Sequence, residues 1–219
     1  MSEERGARAA RLAGLHVLAD DDPRWPRGPV AQARAACAGG AAVVQLRAKH
    51  ATDRQVLVWG REIRALASGA GALFFLNDRF DLALLADADG VHLGQEDLPP
   101  VRLPAAVRER LLIGRSTHTL EQAVRAAGEP VDYVAFGPLY GTASKASGYA
   151  ARGLECLAEV VARVAPRPVV AIGGIDPDGA RRARLRGARG VAVISAVAGA
   201  ADPEAATRAL VRALHEAAA

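Results

Sequence analysis

Eight short runs rich in valine, isoleucine and leucine alternate with longer alanine-rich segments, and this alternation restricts the possible fold more than any other feature. The strand candidates are 14–20, 42–48, 73–77, 90–93, 111–116, 131–137, 168–173 and 190–195. Short, continuous apolar runs suit strands covered on both faces, as in a parallel sheet. The segments between them carry helix signals. Asp53 and Thr119 read as N-caps, Asp202 precedes Pro203 at a first helical position, and Gly39 reads as a C-terminal stop. Eight strand-plus-helix units of about 25 residues predict an α/β chain, a single-domain (β/α)8 TIM barrel over 1–219, with 1–13 as an N-terminal extension. An open doubly wound sheet is the competing architecture. It calls for a glycine-rich turn after the first strand, where residues 18–25 read LADDDPRW.

Composition narrows the function classes. The opening MSEERGARAARLAG has no apolar core suited to a signal peptide, and no run approaches the ~18–20 apolar residues of a membrane span. Cys37 and Cys156 lack metal-ligand spacing and read as reduced packing residues, which predicts a cytoplasmic protein. The net charge of +4 is dispersed along helical stretches such as ARRARLRGAR, and only nine aromatic residues are available for stacking. Such charges describe a solvated face, so neither nucleic acid nor membrane is an expected partner. Small molecules are, and assembly into a homo-oligomer stays open. Among 28 basic residues only Lys49 and Lys145 are lysines. In a chain that otherwise uses arginine, these two mark places suited to a compact, flexible ammonium.

Two regions break the plain pattern. Residues 95–110, QEDLPPVRLPAAVRER, contain three prolines and predict an irregular loop before a short helix. Residues 140–153, YGTASKASGYAARG, have the small, polar composition of a mobile loop or lid.

In a barrel the active site lies where strands end and their following loops begin. Strand two ends VVQLRAK, so Gln45, Arg47 and Lys49 share one face, while Val44, Leu46 and Ala48 take the other. Two cations at the top of a barrel interior call for an anion. Strand three ends in Asn77 and Asp78, and Asp97 follows strand four in GQED. An aspartate after a strand is often only a helix cap. Beside a cationic pocket, two carboxylates suit magnesium, which takes a few carboxylates together with phosphate oxygens and waters. Strand five ends in Gly114, Arg115 and Ser116, with His118 as either a catalytic group or a helix cap. Gly173 and Gly174 after strand seven, and Ile194 and Ser195 after strand eight, fall at the usual phosphate-binding loops of barrels. Two anion sites suit an enzyme that joins two phosphorylated substrates, with a transition state stabilised mainly by charge.

Taken in order, QLRAK (45–49), NDRFDLAL (77–84), DGVHLGQED (89–97), GRSTHT (114–119), DYVAFGPLYGTASK (132–145), AIGGI (171–175) and VISAV (193–197) resemble the thiamine phosphate synthase family, also called thiamine-phosphate pyrophosphorylases. The resemblance runs from about Leu15 to Ala209. It implies a magnesium-dependent transferase that condenses hydroxymethylpyrimidine diphosphate with a thiazole phosphate, releasing pyrophosphate. It lays the segments 45–49 (Gln45, Leu46, Arg47, Ala48, Lys49) and 142–145 (Thr142, Ala143, Ser144, Lys145) against substrate. Gln45, Arg47, Lys49, Asn77, Ser116 and Lys145 would hold the pyrimidine diphosphate, with Arg47, Lys49, Ser116 and Lys145 the catalytic set. Asp78 and Asp97 would bind Mg2+; spacing alone does not choose Asp97 over Glu96. Thr142, Ser144, Gly174, Ile194 and Ser195 would hold the thiazole phosphate. Where the family often reads Pro-Thr-x-Thr-Lys, this chain has Gly141 to Lys145 as GTASK, which keeps the hydroxyl and implies a looser lid. A thiazole tautomerase of the same fold, using His118, and a non-catalytic phosphate sensor are the alternatives.

Overall fold

The computed structural model describes residues 3–141 and 149–217. Eight parallel strands close into a barrel in sequence order: β1 (Gly14–Asp20), β2 (Val43–Arg47), β3 (Leu73–Asn77), β4 (Gly90–Leu93), β5 (Leu112–Thr117), β6 (Tyr133–Phe136), β7 (Val169–Ile172) and β8 (Gly190–Val193). Three match the expected limits (14–20, 73–77 and 90–93). The others differ by one or two residues at an end, mostly because apolar flanks continue into turns outside the hydrogen-bond ladder.

The helices α1 (Glu3–Ala10), α2 (Pro29–Ala38), α3 (Asp53–Ala70), α4 (Phe80–Leu85), α5 (Ala105–Arg110), α6 (Leu120–Ala127), α7 (Gly153–Val164), α8 (Pro177–Leu185), α9 (Ser195–Ala198) and α10 (Pro203–Glu216) accompany the strands. Thr119 and Asp202 cap as expected, their oxygens accepting from the Gln122 and Ala205 N–H groups. Asp53 does not cap. Thr52, in extended backbone, accepts from Gln55 N–H, and Asp53 becomes the first helical residue. The proline-rich segment forms a 3-10 turn at Pro100–Arg102 before the short α5.

Side chains divide by strand alternation into two apolar bodies. Outward residues such as Val44, Leu46, Phe74, Val91 and Phe136 pack under the helices. Inward residues Val43, Leu73, Phe75, Leu112, Tyr133 and Val170 fill the lower barrel. Burying one such ring or branched chain stabilises by roughly 1.5–3 kcal/mol. Gly90 and Gly114 make room for the large rings, since a Cβ at either would collide with Phe75 or Tyr133 respectively.

The segment expected as an extension is part of this packing. α1 lies across the amino ends of the strands. Arg5 pairs with Asp132 at 2.6 Å, Arg8 donates to the Asp89 carbonyl at 2.7 Å, and Leu12 is buried in the lower barrel. No helix among the described residues is long and apolar enough to cross a membrane.

Candidate active site

The barrel interior turns polar toward the carboxyl ends of its strands. Asp20 stands opposite Arg47 in the β1–β2 register, and its carboxylate accepts from Arg47 Nη1 at 2.8 Å. Asp20 is 1% exposed, so this is a desolvated pair at the rim of the barrel. Asp21 accepts the N–H groups of Lys49, His50 and Ala51, each at 2.8 Å, and so fixes the turn that presents Lys49. Lys49 Nζ forms an ion pair with Asp78. The cations read from QLRAK therefore each meet a carboxylate of this chain.

Asp78 and Asp97 face one another. Burial works to raise Asp78, but hydrogen bonding by Lys49 and Asp97 outweighs it and holds this carboxyl below its usual range. Asp97 is pushed up, first by burial and also by Asp78, against the Gly94 N–H that donates to it at 2.6 Å. Two carboxyl groups that drive each other's protonation apart in this way are suited to share a divalent cation. Among the described residues no three His, Cys, Asp or Glu side chains converge, so further ligands would come from elsewhere.

Ser116 Oγ lies 2.8 Å from His92 Nε2, and His92 Nδ1 lies 2.8 Å from the Tyr133 hydroxyl. His118 Nδ1 lies 2.6 Å from the Gly137 carbonyl oxygen, so that nitrogen carries the hydrogen. The His118 ring stacks on Tyr149 with centroids 4.1 Å apart. On the opposite side of the mouth, Gly173 and Gly174 adopt φ of 93° and 66°. Side chains there would also crowd the β6 turn: a Cβ on Gly173 would sit 2.6 Å from Pro138 Cα.

A cavity of about 550 Å³ gathers Arg47, Lys49, Asn77, Asp78, Asp97, Ser116, Gly174, Ile194 and Ser195 into one wall and floor. Gln45 lies beneath it, beside His92 and Tyr133, with Oε1 buried and without a hydrogen-bond partner among the described residues. Leu46 and Ala48, expected beside substrate, could meet it only through their backbone. Both send their side chains outward to the helix layer, as alternation along β2 demands. Thr142, Ala143, Ser144 and Lys145 lie outside the described residues. Sequence reasoning missed Asp20, His92, Gln95 and Tyr149. His92 was within reach, because Gly90 and His92 share the inward phase of β4.

The fold and the position of this cavity define a (β/α)8-barrel enzyme working at the carboxyl ends of its strands. Residues 15–197 match the family model described as thiamine monophosphate synthase. The thiamine-phosphate synthase of Anaeromyxobacter dehalogenans is 52% identical over 199 residues, covering 91% of this chain and 86% of that protein. That of Roseiflexus sp. is 44% identical over 196 residues, covering 90% and 83% respectively. The thiamine phosphate pyrophosphorylase of Pyrococcus furiosus superposes with a TM-score of 0.85 at 38% identity, covering 97% of this chain and all of that one. The chain belongs to the thiamine monophosphate synthase family. A geranylgeranylglyceryl phosphate synthase from Thermoplasma acidophilum, at 16% identity and a TM-score of 0.71, shares the fold alone.

Proposed function

We propose that this chain is a cytoplasmic thiamine-phosphate synthase that joins hydroxymethylpyrimidine diphosphate to a thiazole phosphate, with magnesium held by Asp78 and Asp97. The observation that carries this reading is the convergence of Arg47, Lys49 and the facing Asp78–Asp97 pair in one cavity. When bound, magnesium would neutralise charge on the diphosphate.

The chain's own groups would do the rest. Arg47 and Lys49 attract and orient the diphosphate. Ser116 donates to it, and Lys145 adds a second flexible ammonium. The bond between the pyrimidine methylene carbon and the diphosphate oxygen breaks, and pyrophosphate leaves with the electron pair. The thiazole nitrogen lone pair then forms the new carbon–nitrogen bond. The loops at Gly174 and at Ile194–Ser195 would hold the thiazole phosphate by backbone N–H groups. Little proton transfer is required. Fixed positive charge around the leaving group is the larger contribution.

A second reading keeps a specific observation in its favour. His118 lines the same cavity, and Gly137 fixes its tautomer, which would suit a thiazole tautomerase. One assay separates the two. Purified protein receives both phosphorylated substrates and magnesium, and thiamine phosphate is read as fluorescent thiochrome, with EDTA and Asp78→Ala controls. Magnesium-dependent product supports the synthase. Intact substrates with folded enzyme would instead favour the tautomerase, to be tested with His118→Ala.

A further inference from the structure

Ser116 stands at the upper end of a buried polar column whose direction the structure decides. The column runs from Tyr133 through His92 to Ser116, with 2.8 Å at each step. All three side chains are buried. The register His92–Gly114–Tyr133 sets them on three adjoining strands. Gly114 between them has no Cβ, and a Cβ there would strike the Tyr133 ring, so the phenol can reach across to His92.

A serine beside a histidine invites the reading of nucleophile and base, in which the imidazole accepts the serine proton. Tyr133 argues for the opposite polarity. Burial foremost, with the charge of Asp132, raises its pKa far above the usual phenol range, so it keeps its proton. Among the described residues, His92 Nδ1 is the one hydrogen-bond partner of that hydroxyl. An orphaned buried O–H costs roughly 1–3 kcal/mol, whereas an unused oxygen lone pair costs far less. Tyr133 therefore donates to Nδ1. A neutral imidazole that accepts at Nδ1 carries its hydrogen at Nε2 and donates from there. Ser116 Oγ is thus an acceptor toward His92, and its own hydrogen turns toward the cavity that Ser116 lines.

We propose that Tyr133 and His92 are positioning residues forming a one-way hydrogen-bond relay that fixes Ser116 as a donor to the anionic group of the substrate. His92 is the neutral Nε2–H tautomer and takes no proton from Ser116. The identity of that anion as the diphosphate rests on the proposed function; the polarity of the relay does not.

The test begins without substrate. Protein labelled with 15N-histidine is examined by long-range 1H–15N correlation, with His92→Gln assigning the His92 signals. The Nε2–H tautomer is expected, and Tyr133→Phe should shift it toward Nδ1–H. An Nδ1–H tautomer or an imidazolium in the unsubstituted protein would overturn the relay. Kinetics supply the second arm. Glutamine at 92 can still accept from Tyr133 and donate to Ser116, whereas alanine can do neither. His92→Gln should retain at least about tenfold more kcat than His92→Ala, the worth of roughly one charge-assisted hydrogen bond. Thiazole phosphate KM should stay within about twofold in both variants. Equal losses of kcat would also overturn the relay. If the unsubstituted enzyme yields no thiamine phosphate, the reaction assignment fails while the tautomer measurement still decides the relay.

Discussion

Asp78 is a non-glycine residue held at a φ of 65°, a conformation that costs about 1 kcal/mol or more and survives only where the surroundings fix it. Its N–H donates to the His92 carbonyl at 2.7 Å and its carboxylate pairs with Lys49, which together turn the side chain toward Asp97. Asp78→Ala should raise the magnesium concentration for half-maximal activity by at least about tenfold and lower activity sharply, measured by titrating magnesium in the product assay. Full activity at low magnesium would show that the metal sits elsewhere. Asp20 makes a separate prediction. Replacing it by asparagine leaves Arg47 half-buried without its carboxylate, and breaking such pairs costs roughly 3–5 kcal/mol. Arg47 retains some solvent, which places the expected loss at the low end, about 3 kcal/mol. Thermal unfolding of Asp20→Asn should show a clearly lower Tm; an unchanged Tm would mean that the pair adds nothing to stability.

Elements explain both what the sequence disclosed and what it withheld. Period-two alternation in β2 was enough to put Gln45, Arg47 and Lys49 on the inward side and Leu46 and Ala48 under the helices. Lys49 comes two residues after β2 and could be placed from the chain alone, whereas spacing put a carboxylate after β4 without choosing Asp97 over Glu96. Asp20 could not. Its partnership with Arg47 depends on the β1–β2 register, which appears only when the barrel closes. His92 was hidden differently. It stands in an apolar run, and whether an inward residue meets the packed floor or the open cavity depends on its height along the barrel. Thr52 and Asp53 show the usual one-residue ambiguity at a helix start, where two good capping residues compete. Gly114 makes an element-scale prediction. Gly114→Ala forces a methyl group into the Tyr133 ring and should destabilise by about 1–3 kcal/mol in urea unfolding. Introduced into Tyr133→Leu, the same change should cost less, because the offending ring is gone. Equal losses in both backgrounds would place the strain elsewhere.

At the scale of the molecule, the two ends of the barrel divide stability from chemistry. The carboxyl end holds the cavity, while the amino end is closed by α1 and by a buried floor in which His16 Nε2 lies 2.8 Å from the Leu12 carbonyl oxygen. Because a carbonyl oxygen only accepts, Nε2 must carry the hydrogen. Burial depresses His16 to about 4 from an ordinary 6.5, with the Leu12 bond opposing this only in part. Above pH 6.5 both folded and unfolded chains keep this ring neutral, and it has no effect on the pH dependence. Between 6.5 and about 4 the unfolded chain binds a proton that the folded chain refuses, so stability falls as the solution is acidified. The loss approaches roughly 3 kcal/mol by the bottom of that window, since each pH unit crossed within it costs about 1.4 kcal/mol. Asp97 and Asp132 act with the opposite sign, because their raised carboxyl groups take up protons more readily when folded. The contribution of His16 therefore emerges as a difference between proteins. Urea unfolding at several pH values should show a steeper acid loss in the natural chain than in His16→Asn, whose amide can still donate to the Leu12 carbonyl. Parallel curves for the two proteins across pH 4 to 6.5 would mean that the buried ring is charged already in the folded state, and that the barrel floor is wetter than its packing indicates.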